Sequence, residues 1–204
     1  MSDKIEFINS VLNELYPNPD IPLDHENNFT FLIAVMLSAQ STDKKVNEIT
    51  PKLFSKANTP EKMDKLSEEE IRIIIREIGL APTKAKNIKK TCKQLLEKHG
   101  GEVPDNFGDL EELAGVGHKT ASVMMAQAFN VPAFPVDTHI HRLAFRWGIS
   151  SGKNVQTTER DLKAAFEEKD WNRLHLQMIF YGRKYCQARK KICGCRICSF
   201  TRKS

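Results

Sequence analysis

Three groups of residues in this chain of 204 have the types and spacing to do chemistry. The first lies in "LAGVGHKTA", Leu113 to Ala121, where Gly115 and Gly117 precede Lys119 at what reads as the start of a helix. Without side chains at the two glycines, the backbone from Gly115 through Val116 and Gly117 to His118 can approach a phosphate closely, and the helix adds its positive end. A lysine in a helix's first turn sits against that same dipole. This disfavours its charged form and leaves more neutral amine to act as a nucleophile. The residues also suit a plain helical hairpin whose lysine only contacts phosphate. The second group centres on Asp137 in "VPAFPVDTHIHR". A carboxylate there can stabilise a cationic sugar transition state and move protons, or simply cap the helix that follows. The third is "CQARKKICGCRIC", with Cys186, Cys193, Cys195 and Cys198 separated by six, one and two residues. Four thiolates so close suit a [4Fe–4S] cluster or tetrahedral zinc, with free thiols as the remaining alternative.

The elements that must position these residues read as helices nearly throughout, and no segment sustains period-2 alternation, so the expected fold is all-α. "FLIAVMLSA" from Phe31 is apolar nearly all round and belongs at the centre of a bundle. Thr59 caps a helix with Pro60 in its first position, and Ser67 with Glu70 forms a capping box before "IRIIIREIG", where Gly79 offers a left-handed stop. "TKAKNIKKTCKQLLEKHGG" is a helix with a basic face, closed by Gly100 and Gly101, and Cys92 on it reads as a small buried side chain. "FGDLEELAG" runs into the glycine turn and "HKTASVMMAQAFN" leaves it. Asp137 caps "THIHRLAFRWG", Thr158 opens "ERDLKAAFEE", and Trp171 to Tyr185 forms the helix before the cysteines. "YPNPDIP" and "VPAFPVD" are the Pro-rich crossings.

Bulk properties narrow the class. Net charge is +5, from 31 Lys and Arg against 26 Asp and Glu, a mild basic excess compatible with nucleic acid. Five cysteines, Cys92 alone and four crowded toward one end, argue against a disulfide scaffold. The longest apolar run is too short to span a bilayer and the start lacks a signal-peptide pattern, so a cytoplasmic protein with no membrane partner is expected.

Taken in order, "MLSAQSTDKKVNE", "IGLAPTKAKNIKKTC", "LAGVGHKTA", "VDTHIHR" and "YGRKYCQARK" resemble the endonuclease III family of helix-hairpin-helix DNA glycosylases, from about Phe29 to Cys198. The resemblance implies two lobes with the active site in the cleft between them. A six-helix barrel at 21–131 would hold the helix-hairpin-helix, and residues 1–20 with 132–204 would form the second helical domain. It implies base excision repair: removal of oxidised pyrimidines and nicking of the strand by β-elimination through a lysine Schiff base. Lys119 matches the nucleophile and Asp137 the essential carboxylate. Gln40 resembles the residue that enters the gap left by the flipped nucleotide, Leu80 the apolar wedge beside it, and His139 a residue that shapes the site. The partner implied is double-stranded DNA with damaged pyrimidines or abasic sites, met by a monomer associated with the nucleoid. Lys190, Lys191 and Arg196, beside the cysteines, can meet phosphates.

The chain also departs from the family. Its cysteine spacing is compressed after the first interval, where the family has six, two and five residues. The [4Fe–4S] cluster is the expected cofactor, with zinc or no metal left open. His118 stands where the family commonly has arginine and Ala114 where it commonly has proline. An uncharged histidine would weaken phosphate contact near neutral pH. The adenine-mismatch branch of the superfamily is set aside, since it lacks the lysine and carries a long further domain. A non-catalytic DNA-binding module is the rival from another class.

Overall fold

The computed structural model describes residues 2–189 and 193–202. Lys190 and Lys191 lie outside the described residues. Twelve α-helices and one short 3-10 turn, Glu168–Asp170, make up the described structure, and no strand occurs among these residues. The chain divides into two compact units, Ile21–Phe129 and Met1–Asp20 with Asn130–Ser204. No helix among the described residues is long and apolar enough to cross a membrane.

The Ile21–Phe129 unit contains α2 (Asn28–Ser38), α3 (Asp43–Phe54), α4 (Pro60–Lys65), α5 (Glu68–Ile74), α6 (Ala81–Lys98), α7 (Phe107–Glu112) and α8 (His118–Gln127). Helix α2 starts at a capping box in which Asn27 and Thr30 satisfy each other's orphan backbone N–H. Every residue from Phe29 to Leu37 is buried, so α2 is the axis on which α3, α6 and α8 pack. Each fully buried leucine, isoleucine or phenylalanine of such a core stabilises by about 1.5–3 kcal/mol relative to exposure. Thr59 with Pro60, the Ser67–Glu70 capping box, and Gly100 with Gly101 at the end of α6 all take the expected places.

The other unit contains α1 (Ser2–Leu15), α9 (Thr138–Arg146), α10 (Val155–Ala165), α11 (Trp171–Lys184) and α12 (Arg196–Thr201). Its core gathers Ile8, Leu12, Phe134, Trp147, Leu174 and Tyr181 with the buried cysteines. Asp137 caps α9, accepting from the Ile140 N–H at 2.8 Å.

Two expected helix ends are corrected. Helix α10 is capped by Asn154, not Thr158. Thr158 is fully buried inside the helix, where its hydroxyl bonds the Asn154 carbonyl and the His141 ring. Gly79 is not the left-handed residue after α5, which already ends at Ile74; that conformation falls on Leu80, with φ of 61°. The reason is Pro82. Proline fits the first turn of a helix, so α6 begins at Ala81 with Leu80 as its cap.

Candidate functional site

The glycine turn is held from outside by one face of α6. Asn87, Thr91 and Gln94 recur at helical spacing on that face. The Gln94 side chain accepts from the Ala114 N–H at 2.8 Å and donates to the Glu112 carbonyl at 2.9 Å, while the Thr91 hydroxyl donates to the Ala114 carbonyl at 2.8 Å. Asn87 fills the space beside Gly115, where an added Cβ would lie 2.7 Å from its amide nitrogen. Gly115 also has φ of 81°, so glycine is required twice over at this position. The Val116 side chain is buried, and its N–H closes the turn onto the Leu113 carbonyl at 3.0 Å. Gly117 is different: a Cβ there meets nothing within 4 Å. It caps α8 without any side-chain hydrogen bond, and the first turn of a helix has no internal partners for its N–H groups. Lys119 stands exposed in that first turn. His118 beside it has Nδ1 2.7 Å from Glu111 Oε1 and its ring stacked on Phe107.

In the same unit, the turns bearing Gln40 and Leu80 meet although they lie on different helical connections. Both residues are exposed, and both hold left-handed backbone, with φ of 56° and 61°. A Cβ on Gly79 would sit 3.3 Å from the Gln40 carbonyl oxygen, so the two turns touch backbone to backbone.

Asp137 belongs to the other unit and is fixed by an extended arm that α11 grips. The Asn172 side chain accepts from the Ala133 N–H at 3.0 Å. Buried His175 donates from Nδ1 to the Pro135 carbonyl at 2.9 Å, which places a proton on that nitrogen. Phe134 and Val136 are buried between them. Asp137 is half-buried; one carboxylate oxygen serves the cap and the other makes no hydrogen bond among the described residues. On α9, His139 accepts from Arg142 at 3.2 Å. Arg142 also donates to the Gly182 and Cys186 carbonyls, and Arg146 to the Cys186 sulfur at 3.3 Å and the Gln187 carbonyl at 3.0 Å. The helix that starts at Asp137 is therefore bolted at its far end to the cysteine loop. Nothing in residue type marked Asn87, Thr91, Gln94, Asn172, His175, Arg142 or Arg146 for these tasks; only the α6 spacing offered a signal.

The four C-terminal cysteines come together. Their sulfurs all lie within 4.8 Å of one another, with three of the four residues buried and none in a disulfide. Hydrogen bonds from Cys186 and then Cys198 pull the Cys195 thiol down, and the bond to Cys195 pushes Cys186 up to about 11. Arg146, donating to the Cys186 sulfur, places a positive charge against the set. This donor set fits a metal centre. Helix α12, which carries Cys198, is tied to α1 by an Arg196–Glu14 pair at 2.7 Å and by Phe7 stacked on Phe200 at 3.9 Å. The arginine expected at phosphate is thus engaged at the surface of its own unit.

Known proteins are similar to this chain over most of their length. A family model described as HhH-GPD superfamily base excision DNA repair protein matches residues 33–168. The endonuclease III of Haemophilus influenzae is 46% identical over 90% of this chain and 87% of its own, and that of Bacillus subtilis is 41% identical over 98% and 92%. A solved structure described as a trapped endonuclease III–DNA covalent intermediate, an estranged-adenine complex, superposes with a TM-score of 0.91 at 38% identity, covering 100% of this chain and 99% of the other. The chain belongs to the endonuclease III family of the HhH-GPD superfamily of base excision DNA repair proteins.

Proposed function

We propose that this protein is a bifunctional DNA glycosylase and AP lyase that excises oxidised pyrimidines from double-stranded DNA and nicks the strand at the resulting abasic site. One observation carries the reading: in a chain of this family, an exposed lysine occupies the first turn of the helix that leaves a glycine turn open to phosphate. The covalent intermediate described for its solved relative calls for a nucleophile on that protein. Here Lys119 takes that role.

The damaged nucleotide leaves the stack, since its glycosidic bond is out of reach inside the duplex. The neutral Lys119 amine attacks the sugar C1′. The C1′–N bond breaks, the base departs with a proton, and loss of the amine proton with ring opening leaves a Schiff base. Removal of a C2′ proton then sends an electron pair toward the C3′–O bond, which breaks and releases the phosphate-bearing strand. Asp137 stabilises the positive charge that develops on the sugar and takes part in the proton transfers. Gly115, Gly117 and His118 hold the backbone phosphates through the turn, with Val116 keeping the turn closed. Gln40 fills the gap left by the extruded nucleotide, Leu80 wedges beside it, and His139 shapes the site. Lys190 and Lys191 add backbone contacts of sequence-independent kind.

Cys186, Cys193, Cys195 and Cys198 hold a [4Fe–4S] cluster in this reading, supported by the four thiolates and the Arg146 donor. The cluster is structural: it fixes the loop beside α9 and takes no part at the sugar. A second reading, tetrahedral zinc held by the same four thiolates, draws on the compactness of the set, whose sulfurs all lie within 4.8 Å of one another with Cys186 and Cys198 3.7 Å apart. Iron and zinc analysis with a visible spectrum separates them. Zinc without iron rejects the cluster. For the activity, a duplex with one oxidised pyrimidine should yield the free base and a strand ending in a 3′-unsaturated aldehyde. Intact strand and unreleased base would reject the assignment.

A further inference from the structure

Lys84 is the one buried lysine, arginine or carboxylate residue among those described, with 7% exposure. Burying an ammonium costs several kcal/mol unless its donors are met, so its partners matter. Its Nζ donates to the Leu37 carbonyl at 2.9 Å and the Ala39 carbonyl at 2.6 Å. These belong to the last turn of α2, whose closing carbonyls have no internal partner and carry the negative end of the dipole. Leu37 is fully buried, so water cannot serve its carbonyl as it does at the end of a surface helix. Burial holds the Lys84 pKa below the ordinary lysine value, the cost of this service.

The residue directly after those carbonyls is Gln40. From the same lysine, the backbone N–H donates to the Leu80 carbonyl at 3.0 Å, closing the first turn of α6. Lys84 therefore grips one turn with its side chain and the other with its backbone. Both turns carry a non-glycine residue in left-handed conformation, each costing about 1–2 kcal/mol. Such strain persists only where neighbours over-determine it, and it concentrates at functional sites. Gly79 lets the turns touch. We propose that Lys84 is a positioning residue that fixes Gln40 and Leu80 at the spacing needed to hold a duplex with one nucleotide extruded. It touches neither substrate nor reacting atoms.

The inference rests on the proposed glycosylase and lyase reading, and the test separates the two. Lys84→Met keeps the aliphatic stem and removes the clamp. Two rates are measured under single turnover: excision of an oxidised pyrimidine from duplex DNA, and nicking at an abasic site in single-stranded DNA, which has no stack to hold open. A misplacement of about 1 Å can cost a hundredfold, so duplex excision should fall tenfold to a hundredfold (~1 to 2 decades) while single-strand nicking stays within about twofold. Equal loss of both rates, or no loss of duplex excision, overturns the positioning role. Wild-type protein inactive on both substrates overturns the glycosylase reading and the positioning role with it. Should Lys84→Met fail to fold, Gly79→Ala presses on the Gln40 carbonyl without touching Lys84 and must give the same split.

Discussion

Asp137 caps α9 and is proposed to act at the sugar, and two substitutions separate the two roles. Its Oδ1 accepts from the Ile140 N–H at 2.8 Å, so removing the side chain orphans a donor at the start of α9. Loss of such a cap costs about 1 kcal/mol, while asparagine caps about as well as aspartate. Asp137→Ala should therefore lower the melting temperature by about 2–4 °C in a chain of this size, and Asp137→Asn should leave it nearly unchanged. Catalysis divides the other way. Asparagine cannot accept a proton or oppose positive charge on the sugar, and loss of a general acid–base costs about 10²–10⁴ in rate, or about 2.7–5.4 kcal/mol of transition-state stabilisation. Thermal melts paired with single-turnover excision rates for wild type and both variants decide the matter. An Asp137→Asn protein that melts like wild type and also excises like wild type would leave the carboxylate as a helix cap and nothing more.

The two glycines of the turn should respond differently. Gly115→Ala meets Asn87 and a positive φ, so it should lose at least about 1–2 kcal/mol of stability by chemical denaturation. Gly117→Ala meets open space, so it should keep its stability yet bind duplex DNA more weakly in a titration. Burial pushes the Cys92 thiol up to about 12 from the ordinary thiol value of 9.0, so its thiolate fraction at pH 8 should be about a thousandfold lower. It should resist iodoacetamide until the protein unfolds, as peptide mass mapping will report. Cys198→Ser should lower both metal content and melting temperature, because the thiol is buried among the core of its unit.

Local chemistry was the readable part of the sequence. Thr59, Ser67 with Glu70, and Asp137 cap where their types and spacing say they should, because a cap is decided within four residues. The glycine turn was equally legible. What escaped depends on partners distant along the chain. Thr158 looked like a cap because threonine often is one, but the pocket formed with His141 and Ser150 took it inside. Leu80 took the left-handed backbone because Pro82 set where α6 begins. Lys84 was one lysine among several on a basic helix, and only the end of α2, over forty residues earlier, gives it a task. The cysteines announced a metal centre by their number. The arginines of α9 that hold their loop gave no sign.

The amine of Lys119 is proposed to bond to the sugar. Borohydride added during turnover on a duplex with an oxidised pyrimidine should freeze a covalent adduct, and peptide mass spectrometry should place the added mass on Lys119. Lys119→Gln should form none. An adduct on another residue, or one that forms equally in the variant, would contradict the account.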